Sequence, residues 1–259
     1  MAADRARVVG RMTPAGDGWE AVEVGESDTS VYRRGDVFAK CCGPAGVQEL
    51  EAERDRIAWL SSTGMPGATV VDWQAADEGA CLVTSAVPGI TGVDLPAWAW
   101  LGAMETLGRT LRELHSLPDC PFERPLGSVI ASAEDVVRRG AVNPDFLTDE
   151  WRAASVESLL ERVVAERPYV ESVSELVVCH GDPCLPNVFF DPMTLRVTGF
   201  IDVGRLGVAD RYSDLALTTI QLYDEWSVDP GPFLAAYGVT EPDRRRLEFF
   251  RLLDPLTWG

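Results

Sequence analysis

The sequence predicts an α+β fold of two lobes, a small β-rich lobe over residues 1–88 and a larger, mainly helical lobe over residues 89–259. Two observations predict it. Short segments of alternating apolar residues dominate from Trp19 to about Pro88, whereas helical periodicity dominates after the break at Val87-Pro88-Gly89. This order of elements also predicts a cleft between the lobes in which a ligand binds.

The individual elements follow from the same patterns. In the first lobe, alternation predicts strands at 20–25, 30–34, 36–41, 69–74 and 80–85, with one helix at 48–60; residues 1–18 are predicted to be irregular. In the second lobe, periodicity predicts helices at about 96–116, 132–139, 150–166, 212–225 and 241–253. Between the third and fourth of these helices, a buried strand at 176–179 precedes a hairpin formed by 188–190 and 197–201.

The composition is that of an ordinary globular protein with an acidic surface. There are 41 acidic and 23 basic residues, so the net charge is -18. Such a charge disfavours nucleic acid and anionic membranes as partners and favours a polycationic small molecule. No apolar run approaches the roughly 20 residues of a spanning helix, and the first residues lack a signal-peptide core, so a cytoplasmic location is expected. The six cysteines include an adjacent pair but no C-x-x-C, which predicts neither a zinc site nor a disulfide framework.

The chemistry is concentrated in His180-Gly181-Asp182, followed by Asn187 and then by Asp202 at the end of an apolar run. Enzymes that transfer a phosphoryl group need a carboxylate that orients the accepting hydroxyl and oxygen ligands for magnesium. Single Asp and Asn residues are common where strands end, but this spacing of three of them favours a kinase. Asp182 is therefore the candidate catalytic residue, and Asn187 and Asp202 are the candidate ligands of Mg²⁺.

A second group of residues is typical of a site for ATP. Lys40 ends a strand, and Glu53 lies within the apolar stripe of the following helix, where a carboxylate needs a partner. Lys40 is the predicted partner; the alternative is Arg54 or Arg56 on the same helix. Phe38 is predicted to cover the adenine ring, the backbone around Ser85 and Val87 to bind its edge, and Ser27 to contact phosphate. The alternative for these residues is ordinary core packing or, for Ser27, a simple hairpin turn.

Taken together, these residues resemble those of the aminoglycoside phosphotransferases, small-molecule kinases with a protein-kinase-like bilobal fold. Within that family the resemblance is closest to the streptomycin 3''-phosphotransferases, and it extends through nearly the whole chain after the first 18 residues. Besides the H-G-D segment, it rests on Leu114-His115-Ser116-Leu117, Ala141-Val142-Asn143-Pro144-Asp145-Phe146, Asp210-Arg211-Tyr212-Ser213-Asp214 and Leu253-Asp254-Pro255-Leu256-Thr257-Trp258-Gly259.

The resemblance implies a role for each candidate residue. Asp182 accepts or orients the proton of the substrate hydroxyl, Asn187 and Asp202 bind Mg²⁺, and Lys40 with Glu53 binds the phosphates of ATP. Ser27 matches the serine of the phosphate loop, and Ser85 and Val87 match the backbone positions that bind adenine. Asp254 matches an acidic position that contacts the cationic drug, and Arg205 matches an arginine near the transferred phosphate. A monomeric enzyme that phosphorylates streptomycin by direct in-line transfer is expected.

Two alternatives use the same motifs. One is a kinase for another amine or alcohol, such as choline or homoserine, with a different pocket in the second lobe. The other is a nucleotide-binding regulatory module without catalysis, which the complete set of candidate catalytic residues disfavours.

Overall fold

The computed structural model describes residues 12–22 and 29–259. The chain forms two compact units. One contains the residues up to Pro88 together with Thr198–Gly204, and the other contains Gly89–Val197 and Arg205–Gly259. A short segment late in the sequence therefore belongs with the N-terminal unit, and Asp202 lies in this segment.

The first unit is built on an antiparallel sheet of five strands in the order β1-β2-β3-β5-β4. Helix α1 (Val47–Ser62) follows β3 and packs against β4 and β5. It buries Leu50, Ile57 and Leu60, as the periodicity predicts. The strands are β1 (Glu20–Val22), β2 (Ser30–Arg34), β3 (Val37–Cys42), β4 (Val70–Ala76) and β5 (Gly79–Ser85).

The core of this sheet contains a covalent link that the sequence reasoning did not foresee. Cys41 of β3 and Cys81 of β5 are direct register partners with Cα atoms 4.2 Å apart, and a disulfide joins them. Both are almost fully buried, in a cluster with Ala39 and Val83. The cysteine spacing indicated no disulfide framework and did not reveal this single pair, because strand pairing brings together residues that are 40 positions apart in the sequence.

The second unit is mainly helical. Helix α2 packs against α7, α6 against α8, and α5 against both α3 and α8. The helices are α2 (Trp100–His115), α3 (Leu126–Arg138), α4 (Asp149–Arg152), α5 (Val156–Val173), α6 (Tyr212–Trp226), α7 (Gly231–Tyr237) and α8 (Arg244–Leu253). Two short pairs of strands complete it. Strand β6 (Ile90–Thr91) pairs with β8 (Val188–Phe190), and β7 (Leu176–Cys179) pairs with β10 (Gly207–Asp210).

A further strand, β9 (Val197–Phe200), begins at the last residue before the chain passes to the first unit. The turn that precedes it is closed by a hydrogen bond from the Asp191 amide to the Arg196 carbonyl, 2.9 Å long. Asp191 also accepts hydrogen bonds from the amides of Met193 and Thr194. These hydrogen bonds form the turn between β8 and β9, where the sequence predicted the loop of a hairpin.

The predicted fold class is confirmed: a strand-rich first unit and a mainly helical second unit. Two details differ. The helix predicted at 150–166 is divided into α4 and α5, because Ser155 caps the second of them by accepting a hydrogen bond from the Ser158 amide. Helix α7 was missed; it is only seven residues long and ends at Gly238, whose φ is +102°. No helix in the described part of the chain is long and apolar enough to cross a membrane.

Candidate active site

Lys40, Glu53 and Asp202 form an ionic cluster in the first unit. The Lys40 Nζ atom lies 2.8 Å from Glu53 Oε2 and 3.0 Å from Asp202 Oδ1. The predicted Lys40–Glu53 pair is thus present, rather than the alternative pairing of Glu53 with an arginine of its own helix. An ammonium group has three N–H donors, and the two carboxylates take two of them. Among the residues that the structure describes, this leaves one donor for a phosphate oxygen.

The positions of these side chains follow from the pattern of β3 and α1. In β3, Ala39 and Cys41 point into the core, so Lys40 between them lies on the other face of the sheet. Glu53 lies on the buried stripe of α1 with Leu50 and Ile57 and is itself buried. Burying a carboxylate is unfavourable unless a cation is near, so the pairing with Lys40 is required by the packing of the helix.

The charges of this cluster shift two pKa values. Burial alone lowers the pKa of Lys40, but the carboxylates of Glu53 and Asp202 outweigh burial, and the pKa lies above its ordinary value. Burial, together with the charge of Asp202, raises the pKa of Glu53, and Lys40 opposes that rise. Lys40 is consequently a firmly charged cation held between two acids.

Asp202 has an unusual backbone conformation. Its φ is +55°, in the left-handed region that Asp and Asn tolerate better than most other residues. Its side chain is 48% exposed, in contrast to that of Glu53. Strained conformations of this kind cluster at functional sites. The exposed carboxylate is therefore available to a ligand while it still contacts Lys40.

The other candidate nucleotide residues lie along β3 and at the end of β5. Phe38 is half-buried opposite Thr84, with the Arg33 guanidinium 5.5 Å from its ring centre. The Ser85 amide donates to the Thr69 carbonyl at 2.9 Å, so this amide is already engaged. Val87 is buried shortly after β5 ends. Ser27 and the phosphate loop lie outside the described residues.

In the second unit, Asp182 and Asn187 lie in one hydrogen-bonded loop after β7. The Asn187 Nδ2 atom donates to the Asp182 carbonyl at 3.1 Å and to Asp182 Oδ2 at 3.2 Å. The Cys184 Sγ atom lies 2.7 Å from Asp182 Oδ1. Both carboxylate oxygens of Asp182 are therefore held, and the amide nitrogen of Asn187 faces Asp182, which leaves the amide oxygen of Asn187 for a cation.

Asp214, at the start of α6, fixes the backbone of this loop. It is fully buried and accepts hydrogen bonds from the amides of His180, at 2.6 Å, and Gly181, at 2.9 Å. His115 Nε2 lies 3.1 Å from the same carboxylate, and His115 Nδ1 lies 2.8 Å from the Tyr237 hydroxyl. Helices α2, α6 and α7 thus support the loop through one buried network.

Gly181 is the residue that this loop requires for steric reasons. Its φ is +89°, and a Cβ atom at this position would lie 2.5 Å from the carbonyl oxygen of Arg205. Only glycine combines this conformation with such a close approach of two backbone segments. The glycine of the H-G-D motif is therefore explained by packing against the segment that carries Arg205.

The two candidate substrate residues, Arg205 and Asp254, contact each other. Arg205 Nη1 lies 3.3 Å from Asp254 Oδ1, and its guanidinium stacks 3.6 Å from the ring centre of Trp258. The Trp258 Nε1 atom donates to Asp254 Oδ2 at 3.3 Å. Burial raises the pKa of Asp254, the charge of Asp182 adds to the rise, and Arg205 offsets it in part. The structure thus brings together a carboxylate, a cation and an aromatic ring.

Three contacts in this unit were missed from the sequence: Cys184 with Asp182, Trp258 with Arg205, and Tyr237 with His115. No role was predicted for Cys184, although its position two residues after Asp182 was a usable signal. Trp258 offered a weaker signal, an aromatic residue four positions after a candidate substrate acid. Tyr237 lies in the helix that the periodicity did not reveal, so nothing in the sequence pointed to it.

Comparison with known proteins identifies relatives over nearly the whole chain. The family model for the phosphotransferase enzyme family matches residues 14–250. The chain is 47% identical to a streptomycin 3''-kinase of Streptomyces griseus, covering 96% of this chain and 97% of the relative. It is also similar to an aminoglycoside 3'-phosphotransferase of Streptomyces fradiae, at 40% identity over 91% of this chain and 94% of the relative.

Solved structures extend this similarity. An aminoglycoside phosphotransferase of Streptomyces rimosus, APH(3'')-Id, in complex with ADP and streptomycin superposes with a TM-score of 0.86 at 44% identity, with 93% of each chain covered. The choline kinase LicA of Streptococcus pneumoniae superposes with a TM-score of 0.62 at 17% identity, covering 92% of this chain and 83% of that chain. The second similarity concerns the fold alone.

Proposed function

The chain belongs to the phosphotransferase enzyme family, and we propose that it transfers the γ-phosphoryl group of ATP to the 3''-hydroxyl of streptomycin. It is an ATP-dependent aminoglycoside phosphotransferase, as expected from 47% identity to a streptomycin 3''-kinase over almost the whole of both chains. The observation that carries the mechanism is the loop in which Asp182 is held by Asn187 and Cys184. A fixed carboxylate next to an amide ligand is what phosphoryl transfer to a hydroxyl needs.

For the nucleotide, we assign the phosphates to Lys40, which keeps a free donor beside Glu53 and Asp202. Phe38 covers the adenine ring in this proposal, and the base edge binds the Ser85 carbonyl and the Val87 amide. Ser27 is proposed as a phosphate contact on the strength of the sequence alone. The assignment of Lys40 rests on its charge, and those of Phe38, Ser85 and Val87 rest on their positions in β3 and at the end of β5.

Asn187 and Asp202 are the proposed ligands of Mg²⁺. Their donor set fits this ion, because Mg²⁺ prefers amide and carboxylate oxygens. The fit also agrees with two observations: the amide nitrogen of Asn187 is already engaged by Asp182, and the carboxylate of Asp202 is about half exposed. When bound, the ion neutralises charge on the phosphates of ATP.

In the proposed reaction the drug hydroxyl attacks the γ-phosphorus in line. Its oxygen forms the new P–O bond, the bond to the β–γ bridging oxygen breaks, and ADP leaves. Asp182 accepts the proton of the hydroxyl, since it is the carboxylate that the loop holds in a fixed orientation. The transfer needs no phosphorylated side chain.

The drug is proposed to bind near Asp254 and Arg205. Asp254 offers a half-buried carboxylate to a cationic group, and Trp258 offers an aromatic face beside it. The net charge of -18 attracts a cationic drug to the protein as a whole. We also propose that the enzyme acts as a monomer, which light scattering of the purified protein checks.

The experiment that tests this proposal measures ADP release with Mg-ATP against streptomycin, neomycin, kanamycin, choline and homoserine, with product mass and NMR. We expect turnover with streptomycin, a product one phosphate heavier, and a phosphorus coupling at the 3'' position. Turnover with neomycin or kanamycin instead would move the enzyme to the 3'-phosphotransferases, and turnover with choline or homoserine would identify a metabolic kinase. ATP binding without turnover on any of them would favour a regulatory module.

The proposed role of Asp182 is tested by Asp182→Ala. This variant should bind ATP normally, since Lys40 and Glu53 are untouched, but kcat should fall roughly 10²- to 10⁴-fold. Steady-state kinetics and nucleotide titration measure the two effects, with Asp77→Ala, a change in the exposed turn after β4, as the control. Near-normal turnover of Asp182→Ala would disprove the assignment.

A further inference from the structure

The two carboxylate oxygens of Asp182 have different partners. Asn187 Nδ2 lies 3.2 Å from Oδ2 and also donates to the Asp182 carbonyl, whereas Cys184 Sγ lies 2.7 Å from Oδ1. Asn187 is also a proposed ligand of the metal, so its amide nitrogen binds Asp182 while its amide oxygen would bind Mg²⁺. Cys184 is neither the base nor a metal ligand in the proposed mechanism, although it contacts the catalytic carboxylate directly.

The chemistry of the contact identifies the thiol as the donor. An ionised carboxylate only accepts hydrogen bonds, so the proton in this contact belongs to the sulfur. Burial raises the pKa of the Cys184 thiol, and the charges of Asp182 and Asp254 raise it further. The contact between the sulfur and Oδ1 and the direction of this shift both assign the donor role to the thiol.

The backbone holds Cys184 in place for this contact. Cys184 precedes a single helical turn, Leu185–Asn187, and its carbonyl accepts a hydrogen bond of 2.9 Å from the Asn187 amide. Leu185 is fully buried and anchors the turn. Cys184 and Asn187 thus lie at the two ends of one rigid turn, and each holds one oxygen of Asp182.

We propose that Cys184 is a positioning residue of the phosphotransferase reaction, which fixes the rotation of the Asp182 carboxylate by donating its thiol proton to Oδ1. This inference rests on the proposed role of Asp182 as the base. A thiol is a weaker donor than a hydroxyl. Oδ1 consequently keeps capacity to accept a hydrogen bond from the substrate hydroxyl while its orientation is held.

The test compares Cys184→Ala with Cys184→Ser in steady-state kinetics. Cys184→Ala should lower kcat about 3- to 10-fold, the rate equivalent of one hydrogen bond, with both KM values changed by less than about twofold. Cys184→Ser retains a donor and should recover most of that loss. Cys120→Ala is the matched control, because Cys120 is another half-buried cysteine of the second unit and its thiol donates to a backbone carbonyl, that of Phe122, at 3.6 Å.

Three outcomes would overturn the proposal: wild-type kcat in Cys184→Ala, a Cys184→Ser variant as slow as Cys184→Ala, or a loss explained wholly by a lower melting temperature. A crystal structure of the wild-type protein tests the contact independently of any substrate. A sulfur more than about 4 Å from both oxygens of Asp182 would also disprove it. If the wild-type enzyme fails on streptomycin but the contact is present, the substrate assignment fails and the contact stands.

Discussion

Lys40 holds the carboxylates of Glu53 and Asp202 at the same time. Glu53 is buried and Asp202 is half exposed, so the two partners differ in what the loss of Lys40 does to them. Asp202 regains water, but Glu53 is left with a buried charge and no cation. The same lysine thus has a buried partner and an exposed one, and mutation can separate the two.

We predict that Lys40→Met lowers the free energy of unfolding by about 3 kcal/mol, the lower end for breaking a buried ion pair, because Glu53 is left unpaired. The double variant Lys40→Met/Glu53→Gln should recover part of that loss, since an amide is cheaper to bury than a charge. Urea unfolding of wild type, both single variants and the double variant completes the cycle. Strict additivity of the two single effects would show that the pair has no energetic coupling.

At the scale of elements, the loop between β7 and β8 depends on contacts that come from distant segments. Asp214 of α6 binds its amides, and the chain near Arg205 lies against Gly181. Within the loop Leu185 is fully buried, but the backbone amides of His180 and Gly181 are held from outside the loop. Its shape is therefore imposed by the elements around it, and changes at these contacts should alter activity without contacting a substrate.

Gly181→Ala and Gly35→Ala form a matched pair for this argument. Both glycines have positive φ, +89° and +58°, but a Cβ at Gly35 meets no atom within 4 Å, whereas one at Gly181 meets the Arg205 carbonyl at 2.5 Å. Gly35→Ala should cost about 1–2 kcal/mol of stability and leave kcat unchanged. Gly181→Ala should in addition lower kcat by roughly 10²-fold, because the loop moves. Equal kinetics for the two variants would contradict this account.

The hydrogen bonds that the Asp214 carboxylate accepts make the stability of the protein depend on pH. Burial works to raise the pKa of Asp214, but hydrogen bonds from His115 and the Gly181 amide outweigh it, and the pKa lies below the ordinary value of 3.8. A carboxyl whose pKa is lowered by folding stabilises the protein above its ordinary pKa, and this stability is lost as pH falls through the lowered value.

We therefore expect Asp214→Asn to destabilise the protein by roughly 1–3 kcal/mol at pH 7, with a difference from wild type that shrinks below about pH 4. Urea unfolding between pH 7 and pH 3 measures this. Asp77→Asn, a change in the exposed turn after β4, is the control and should show a flat difference. If the loss of stability in Asp214→Asn is the same at every pH, the loss of the ionised Asp214 carboxylate is not its cause.

Periodicity and alternation were sufficient for strands β2 to β5 and for α1, whereas the choice of Lys40 over Arg54 or Arg56 as the partner of Glu53 also needed the H-G-D motif. They work there because each residue's face is set by its neighbours in the sequence. They failed for Cys41 with Cys81, for α7 and for the contacts of Cys184 and Trp258. Those contacts depend on the register of strands and on side chains from separate segments, which local pattern does not encode.

At the scale of the whole molecule, the excess of acidic over basic residues is the property that bears most directly on substrate binding. The net charge of -18 produces a field that attracts cations and repels ATP, so the two substrates approach the enzyme under opposite forces. Within that field we propose that Lys40 supplies local positive charge for the phosphates and that Asp254 supplies a local acid for the drug. Long-range attraction and local contacts can be separated because salt screens the first far more than the second.

Raising KCl from about 20 to about 300 mM should therefore lower kcat/KM for a cationic aminoglycoside several-fold, because the Debye length contracts from roughly 20 Å to about 6 Å. Over the same range kcat/KM for Mg-ATP should stay constant or rise, since screening removes repulsion. The two measurements control each other, because loss of stability or of magnesium would lower both values together. A parallel fall would assign the salt effect to the protein or the metal, whereas opposite trends would show that the acidic surface steers the drug.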